Sequence, residues 1–205
     1  MTQESRSIVI ATHNTHKTDE FRDLLGGAWV VEDLTQHPEL PVPVEDGNSF
    51  EANAAIKARS AAIRLGAGVL VVADDSGLEV DALGGKPGIF SARYAGQGAG
   101  DVANRELVLR EMEGEANRLA RFRCVLAVAR GGDVLACFSG SVEGRLTAQE
   151  AGQGGFGYDP IFIPEGYEAT FGELPPFVKN TLSHRAGALQ KLMQWLEDAE
   201  LTTRP

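Results

Sequence analysis

The chain has 205 residues, 43% of them hydrophobic, enough for one large or two small domains with a substantial core. Its formal net charge of −10 would repel a nucleic-acid backbone, whose binding rests on clustered Lys and Arg, so extended DNA or RNA is excluded as an expected partner. No apolar run approaches the roughly 18 residues of a membrane-spanning helix, and the opening Met1 to Ser7 has no apolar signal core, so a cytoplasmic protein without membrane attachment is expected.

Ser7 to Ala11 is a short β-branched run, followed by the polar Thr12-His13-Asn14-Thr15-His16-Lys17 and a helical pattern at Phe21, Leu24 and Leu25. Trp29 to Val31 predicts a second strand, and the proline-rich His37 to Gly47 a loop. Asn48 and Glu51 suggest a capping box for an Ala-rich helix ending at Leu65. Val69 to Ala73 is apolar throughout, as in a strand buried on both faces, and it runs into Asp74-Asp75-Ser76-Gly77 as a strand end. Gly84 to Gly100 reads as a glycine-rich loop, and Asp101 to Glu113 as a helix capped by Asp101. Arg121 to Ala129 and Val134 to Val142 flank Gly131-Gly132-Asp133 as a β-hairpin. A last helix carries Leu182, Ala186, Leu189, Met193 and Leu196 on one stripe. Cys124 and Cys137 are expected as reduced core residues. Interleaved helices and strands with one hairpin define an α/β fold with a mixed sheet, whose ligands collect at the carboxyl ends of strands.

Three polar clusters interrupt these elements and are expected to form one site. The first is Thr12 to Lys17, where helix-start N–H groups and a lysine can grip phosphate oxygens; a capped loop with a surface lysine would present the same residues. The second joins Glu45 to Asn53 and Lys57, which are four apart and so share one helix face, and to Asp74 and Asp75. Adjacent carboxylates closing an apolar strand repel each other unless a cation compensates, and with a distant glutamate they suit Mg²⁺; a solvated Asp-Asp turn is the alternative. The third is Gly154 to Pro160 with Lys179, Ser183, His184 and Arg185. Here Phe156 can stack a base beside close-packed glycines, and the three cationic side chains concentrate positive charge in an acidic protein. Tyr158 and Pro160 would equally serve as core and turn, and the basic residues as a solvated helix end. The four histidines lack metal-site spacing, which argues against a zinc hydrolase, and no nucleophile elbow occurs. The phosphate and base clusters alone would permit a protein that binds a nucleoside triphosphate without cutting it, and Glu45 with Asp75 argues instead for metal-assisted hydrolysis.

The ordered segments Ala11 to Lys17, Phe50-Glu-Ala-Asn53 with Lys57-Ala58, Ala73 to Leu78, Pro87 to Tyr94, Gly154 to Pro160 and Ser183-His-Arg185 resemble the Ham1-like family of inosine and xanthosine triphosphate pyrophosphatases, nearly end to end. The resemblance implies a single domain over residues 1–205, with an elongated central mixed β-sheet, flanking helices and two lobes around an active-site cleft. It implies hydrolysis of ITP, dITP and XTP to monophosphate and pyrophosphate with Mg²⁺, and a homodimer. By motif position it assigns phosphates to Thr12, Asn14 and Lys17, with Lys57 assisting, and substrate contact to His13, Thr15 and His16 of the same loop. It assigns metal to Glu45 and Asp75 supported by Asp74, proton acceptance to Asp75, and substrate contact to Ser76. Phe156, Gly157, Tyr158, Asp159, Lys179, His184 and Arg185 would line the nucleoside pocket. Two positions depart from the family pattern. His16 stands where glycine is usual, and Leu174-Pro-Pro-Phe-Val178 carries two prolines where acidic helical residues are common.

Overall fold

The structure is a computed structural model, which describes residues 6–41 and 43–203. The first five residues, and with them most of the stretch on which the expected lack of a signal core rests, lie outside the described residues. In chain order the elements are β1 (Arg6–Ile10), α1 (Thr15–Leu25), β2 (Trp29–Asp33), α2 (Phe50–Leu65), β3 (Val71–Val80) and α3 (Gly100–Glu111). They continue as β4 (Leu119–Arg130), β5 (Asp133–Leu146), β6 (Phe162–Pro164), α4 (Pro176–Leu182) and α5 (His184–Thr203). The strands form one mixed sheet in the order β2-β1-β3-β4-β5-β6. Strand β1 pairs parallel with β2 and β3, and β5 pairs antiparallel with β6. The expected α/β mixed-sheet class is thus the one observed.

The chain divides into two compact units. The first holds the residues up to Asp75, Val125–Ser139 and the stretch from Ala188 onward; the second holds Ser76–Cys124 and Gly140–Gly187. In the first unit, Ile8, Ile10, Val71, Val72 and Ala73 are buried as expected of parallel strands covered on both faces. The β1–α1–β2 connection steps one way across the sheet and β2–α2–β3 steps back past β1 the other way, so right-handed crossovers place α1 and α2 on opposite faces of the sheet. That makes the carboxyl end of β1, beside the part of β3 it pairs with, a topological switch point, where α/β sheets bind ligands. In the second unit, Leu78, Val80, Val108, Met112, Phe122, Leu146, Ile161, Phe162 and Phe171 pack as one core. Phe122 and Phe162 lie 4.6 Å apart in a tilted pair, the geometry that the ring quadrupole favours.

Several local expectations are corrected. Strand β3 does not end at Ala73 but runs to Val80, so Asp74 and Asp75 lie mid-strand. What ends there is the parallel partner, since β1 pairs with β3 only at Val9–Val71 and Ile10–Val72. Helix α2 is capped by Ser49, whose side chain accepts the Ala52 N–H at 3.1 Å, rather than by Asn48. Asp101 lies inside α3, with Ala99 at the N-cap position, because its carboxylate is engaged elsewhere, on the Gly157 N–H. The buried stripe of α5 is Arg185, Ala188, Leu189 and Leu192, turned from the expected one; apolar spacing alone cannot anticipate a buried arginine. Cys124 is buried, but Cys137 is exposed on an outward position of β5. The short β6 and α4 are additions. Pro176 opens α4 at a position where a missing N–H costs nothing. His16 lies in the first turn of α1, and among the described residues no non-glycine has positive φ, so its position does not demand glycine.

Candidate active site

On the first unit, the chain leaves β1 at Ile10 and enters α1 at Thr15 through a tight polar turn. The Asn14 N–H donates to Thr12 Oγ1 at 3.1 Å, and Asn14 Oδ1 accepts the Lys17 N–H at 3.3 Å, making Asn14 the N-cap. The capping role anticipated as an alternative is therefore real. It leaves His13, Thr15 and His16 exposed around a helix start whose partial positive charge favours anions. Lys17 is half-buried and binds the Asp74 carboxylate.

Successive side chains of a strand point to opposite faces, and the partners of the two aspartates obey that alternation. Asp74 takes Lys17 from α1, whereas Asp75 takes Lys57 from α2 at 2.6 Å. The Lys57 ammonium also lies 3.5 Å from Glu45 Oε2. Asn53, one turn before Lys57, accepts the Gly47 N–H at 2.9 Å and ties the Glu45 loop to α2. Burial raises the Asp75 carboxyl above its ordinary value; Lys57 opposes the rise by charge and hydrogen bond, Lys17 opposes it by charge, and Glu45 adds to it.

The expected metal set of Glu45, Asp74 and Asp75 does not assemble as one group, since strand alternation sends Asp74 to the other face. Among the described residues no cluster of three or more His, Cys, Asp or Glu could hold an ion. Glu45 and Asp75 nevertheless share one cation, Lys57, and Asp75 Oδ2 is buried without a hydrogen-bond partner. A buried carboxylate oxygen left unsatisfied is costly. Two carboxylates with a lone acceptor fit Mg²⁺, which keeps much of its shell for water and substrate phosphate.

On the second unit, the basic residues are not a solvated helix end. Lys179, His184 and Arg185 are all buried, Arg185 to 1% exposure. Lys179 Nζ sits 2.6 Å from Asp159 Oδ2, which also accepts the Phe156 N–H at 2.8 Å. The same ammonium lies 4.4 Å from the Phe156 ring centre, and the Arg185 guanidinium 5.9 Å from it. Arg185 donates to Ser76 Oγ at 3.1 Å, and His184 stacks on Phe122 at 5.0 Å. Phe156, Asp159, Lys179 and Arg185 therefore form one cluster. Tyr158 belongs to the core, its hydroxyl donating to the Ser91 carbonyl at 2.7 Å. Ser91 in turn accepts the Leu78 N–H at 2.9 Å and donates to the Gly88 carbonyl at 2.7 Å. A side chain at Gly77 would collide with Gly88 O and Ser91 Oγ, which is why the strand carries glycine after Ser76. Ser91, Asp101 and Arg105, which support this cluster, have no chemical signature in the sequence; Asp101 was visible only as a helix-start residue.

A switch-point sheet with lysine-matched carboxylates, in a chain that also holds a buried cationic–aromatic cluster, defines an α/β enzyme of the nucleotide-handling class. The chain belongs to the Ham1 family, whose model matches residues 8–195. It is 46% identical to the dITP/XTP pyrophosphatase of Shouchella clausii, over 93% of this chain and 96% of that one. The Bacillus subtilis dITP/XTP pyrophosphatase is 44% identical over 94% and 98%. Among solved structures, the Staphylococcus aureus Ham1 protein aligns with a TM-score of 0.83 at 37% identity, covering 95% of this chain and 100% of that one. A HAM1 protein from Coxiella burnetii aligns with a TM-score of 0.84 at 38% identity, covering 94% and 99%.

Proposed function

We propose that this protein is a nucleoside-triphosphate pyrophosphatase that removes deaminated purines from the nucleotide pool, hydrolysing ITP, dITP and XTP between the α and β phosphates to monophosphate and pyrophosphate. The reading extends to Mg²⁺ as cofactor, a homodimer and a cytoplasmic location. The relatives named dITP/XTP pyrophosphatases support the substrate class. One observation carries the chemistry: a buried carboxylate, Asp75, with Lys57 on one oxygen and no protein partner on the other.

Glu45 and Asp75 would hold Mg²⁺, which supplies charge neutralisation at the triphosphate when bound. Lys17, Lys57 and the start of α1 offset charge on the phosphate oxygens, including that developing on the leaving pyrophosphate. Asp75 orients a water and takes its proton as the water oxygen bonds to the α phosphorus and the bridging P–O bond breaks. Its raised pKa makes it a stronger base than an ordinary carboxylate. Base choice falls to the second cluster. A 6-oxo purine offers an acceptor where adenine offers a donor, so the N–H groups of Lys179 and Arg185 would find no partner on adenine, a penalty of about 1–3 kcal/mol per buried group.

The test is incubation with Mg²⁺ and a panel of ITP, dITP, XTP, GTP and ATP, with separate assays for pyrophosphate and orthophosphate. Pyrophosphate from the 6-oxo substrates in preference to ATP is the expected result. Orthophosphate alone would replace this reading with a phosphomonoester hydrolase, and binding without turnover would replace it with a nucleotide sensor.

A further inference from the structure

Helix α3 grips one residue of the base-side loop by both of its backbone polar groups. Asp101 Oδ2 accepts the Gly157 N–H at 2.7 Å, and Arg105 Nη1 donates to the Gly157 carbonyl at 2.8 Å. The two side chains are one helical turn apart and so share a face. Glu150 holds the same guanidinium along another edge: its Oε2 accepts from Nη2 at 3.0 Å, and its Oε1 lies 3.0 Å from Nε as an ion-pair contact without a hydrogen bond. Gly157 has φ of +59°, a left-handed conformation that side chains rarely adopt. Engaging both its N–H and its C=O sets the peptide planes before and after it. The plane before it carries Phe156, whose ring receives the Lys179 and Arg185 cations.

We propose that Asp101 and Arg105 are positioning residues for base selection: they lock the Gly157 backbone so that Phe156 and the Asp159–Lys179 pair meet the purine in one fixed geometry. Neither residue belongs to the phosphate or base clusters. Asp101 is exposed and Arg105 half-buried, so a grip serving stability alone would contribute little there. A grip that preorganises a loop instead shows in binding, because a loop freed in the unbound protein must be ordered again by each substrate.

This inference rests on the proposed function and deepens it. Its test measures kcat and KM for ITP and ATP, with thermal unfolding alongside, for the parent, Asp101→Ala, Asp101→Asn, Arg105→Met and Arg105→Lys. Asp101→Ala and Arg105→Met are expected to raise KM for ITP by about tenfold and to narrow the ITP-to-ATP ratio of kcat/KM, with kcat for ITP nearly unchanged. Asp101→Asn, which keeps an acceptor oxygen, and Arg105→Lys, which keeps a donor, should recover most of the ratio. Equal losses on both substrates, or a ratio that stays at the parent's value, would overturn the proposal and leave the parent's activity reading standing. A parent that releases no pyrophosphate from ITP would overturn the function reading itself, and base selection with it. Should Arg105→Met fail to fold, the exposed Asp101 pair decides the matter alone.

Discussion

At the scale of single residues, Asp75 carries the most consequence. Its carboxyl is buried, raised, half-satisfied by Lys57 and close to a second carboxylate at Glu45. Asp75→Asn keeps the shape and removes the charge, so turnover should fall by about a hundredfold or more while circular dichroism stays that of the parent. Because a raised pKa means that the ionised form is the costly one, stability from the protonated form is present below the ordinary value of 3.8 and lost as pH rises through the folded value. Asp75→Asn should therefore melt no lower than the parent at neutral pH, with Glu45 still facing Lys57. A variant that is both active and less stable would show that Asp75 is a structural ion-pair partner. Asp33 behaves oppositely. Burial pushes its carboxyl up, but hydrogen bonds from Thr35 and Thr18 and the Arg22 charge outweigh that and hold it below 3.8. Its contribution is present above 3.8 and lost as pH falls through the lower folded value. The gap in unfolding free energy between the parent and Asp33→Ala should accordingly narrow as pH drops below that range, and a gap independent of pH would contradict it.

At the scale of elements, helix ends decide where side chains fall. Ser49 caps α2 and so fixes the rotation that brings Asn53 and Lys57 to the Glu45 and Asp75 side. Ser49→Ala should cost about 1 kcal/mol of stability in a denaturant titration, and Asn48→Ala close to nothing. The reverse order would restore the cap to Asn48. Strand β3 shows the same dependence of chemistry on element geometry. Consecutive aspartates look like a pair in one dimension, but in a strand they serve two faces, which is why Asp74 answers to α1 and Asp75 to α2.

At the scale of the whole molecule, no helix among the described residues is long and apolar enough to cross a membrane. The homodimer of the proposed function is tested by sedimentation at micromolar concentration, where a species of about twice the 21.9 kDa chain mass is expected and one at the chain mass would refute it.

The sequence by itself determined the α/β class, most of the longer elements and the residue types of both clusters. Strand and helix periodicities and the run of motifs are local properties, written in adjacent residues. It also grouped Glu45 and Lys57 with Asp74 and Asp75 and set Lys17 in another cluster, without recording which lysine meets which aspartate. Only the tertiary structure decided that Asp74 and Asp75 part company, that Lys179 and Arg185 are buried against Phe156 and Asp159, and that Asp101 and Arg105 reach Gly157. Those contacts join residues up to 57 positions apart, as in the pairing of Lys17 with Asp74, and they depend on strand pleat and helix rotation. A shift of one residue in either turns a side chain to another face, and no local pattern records that.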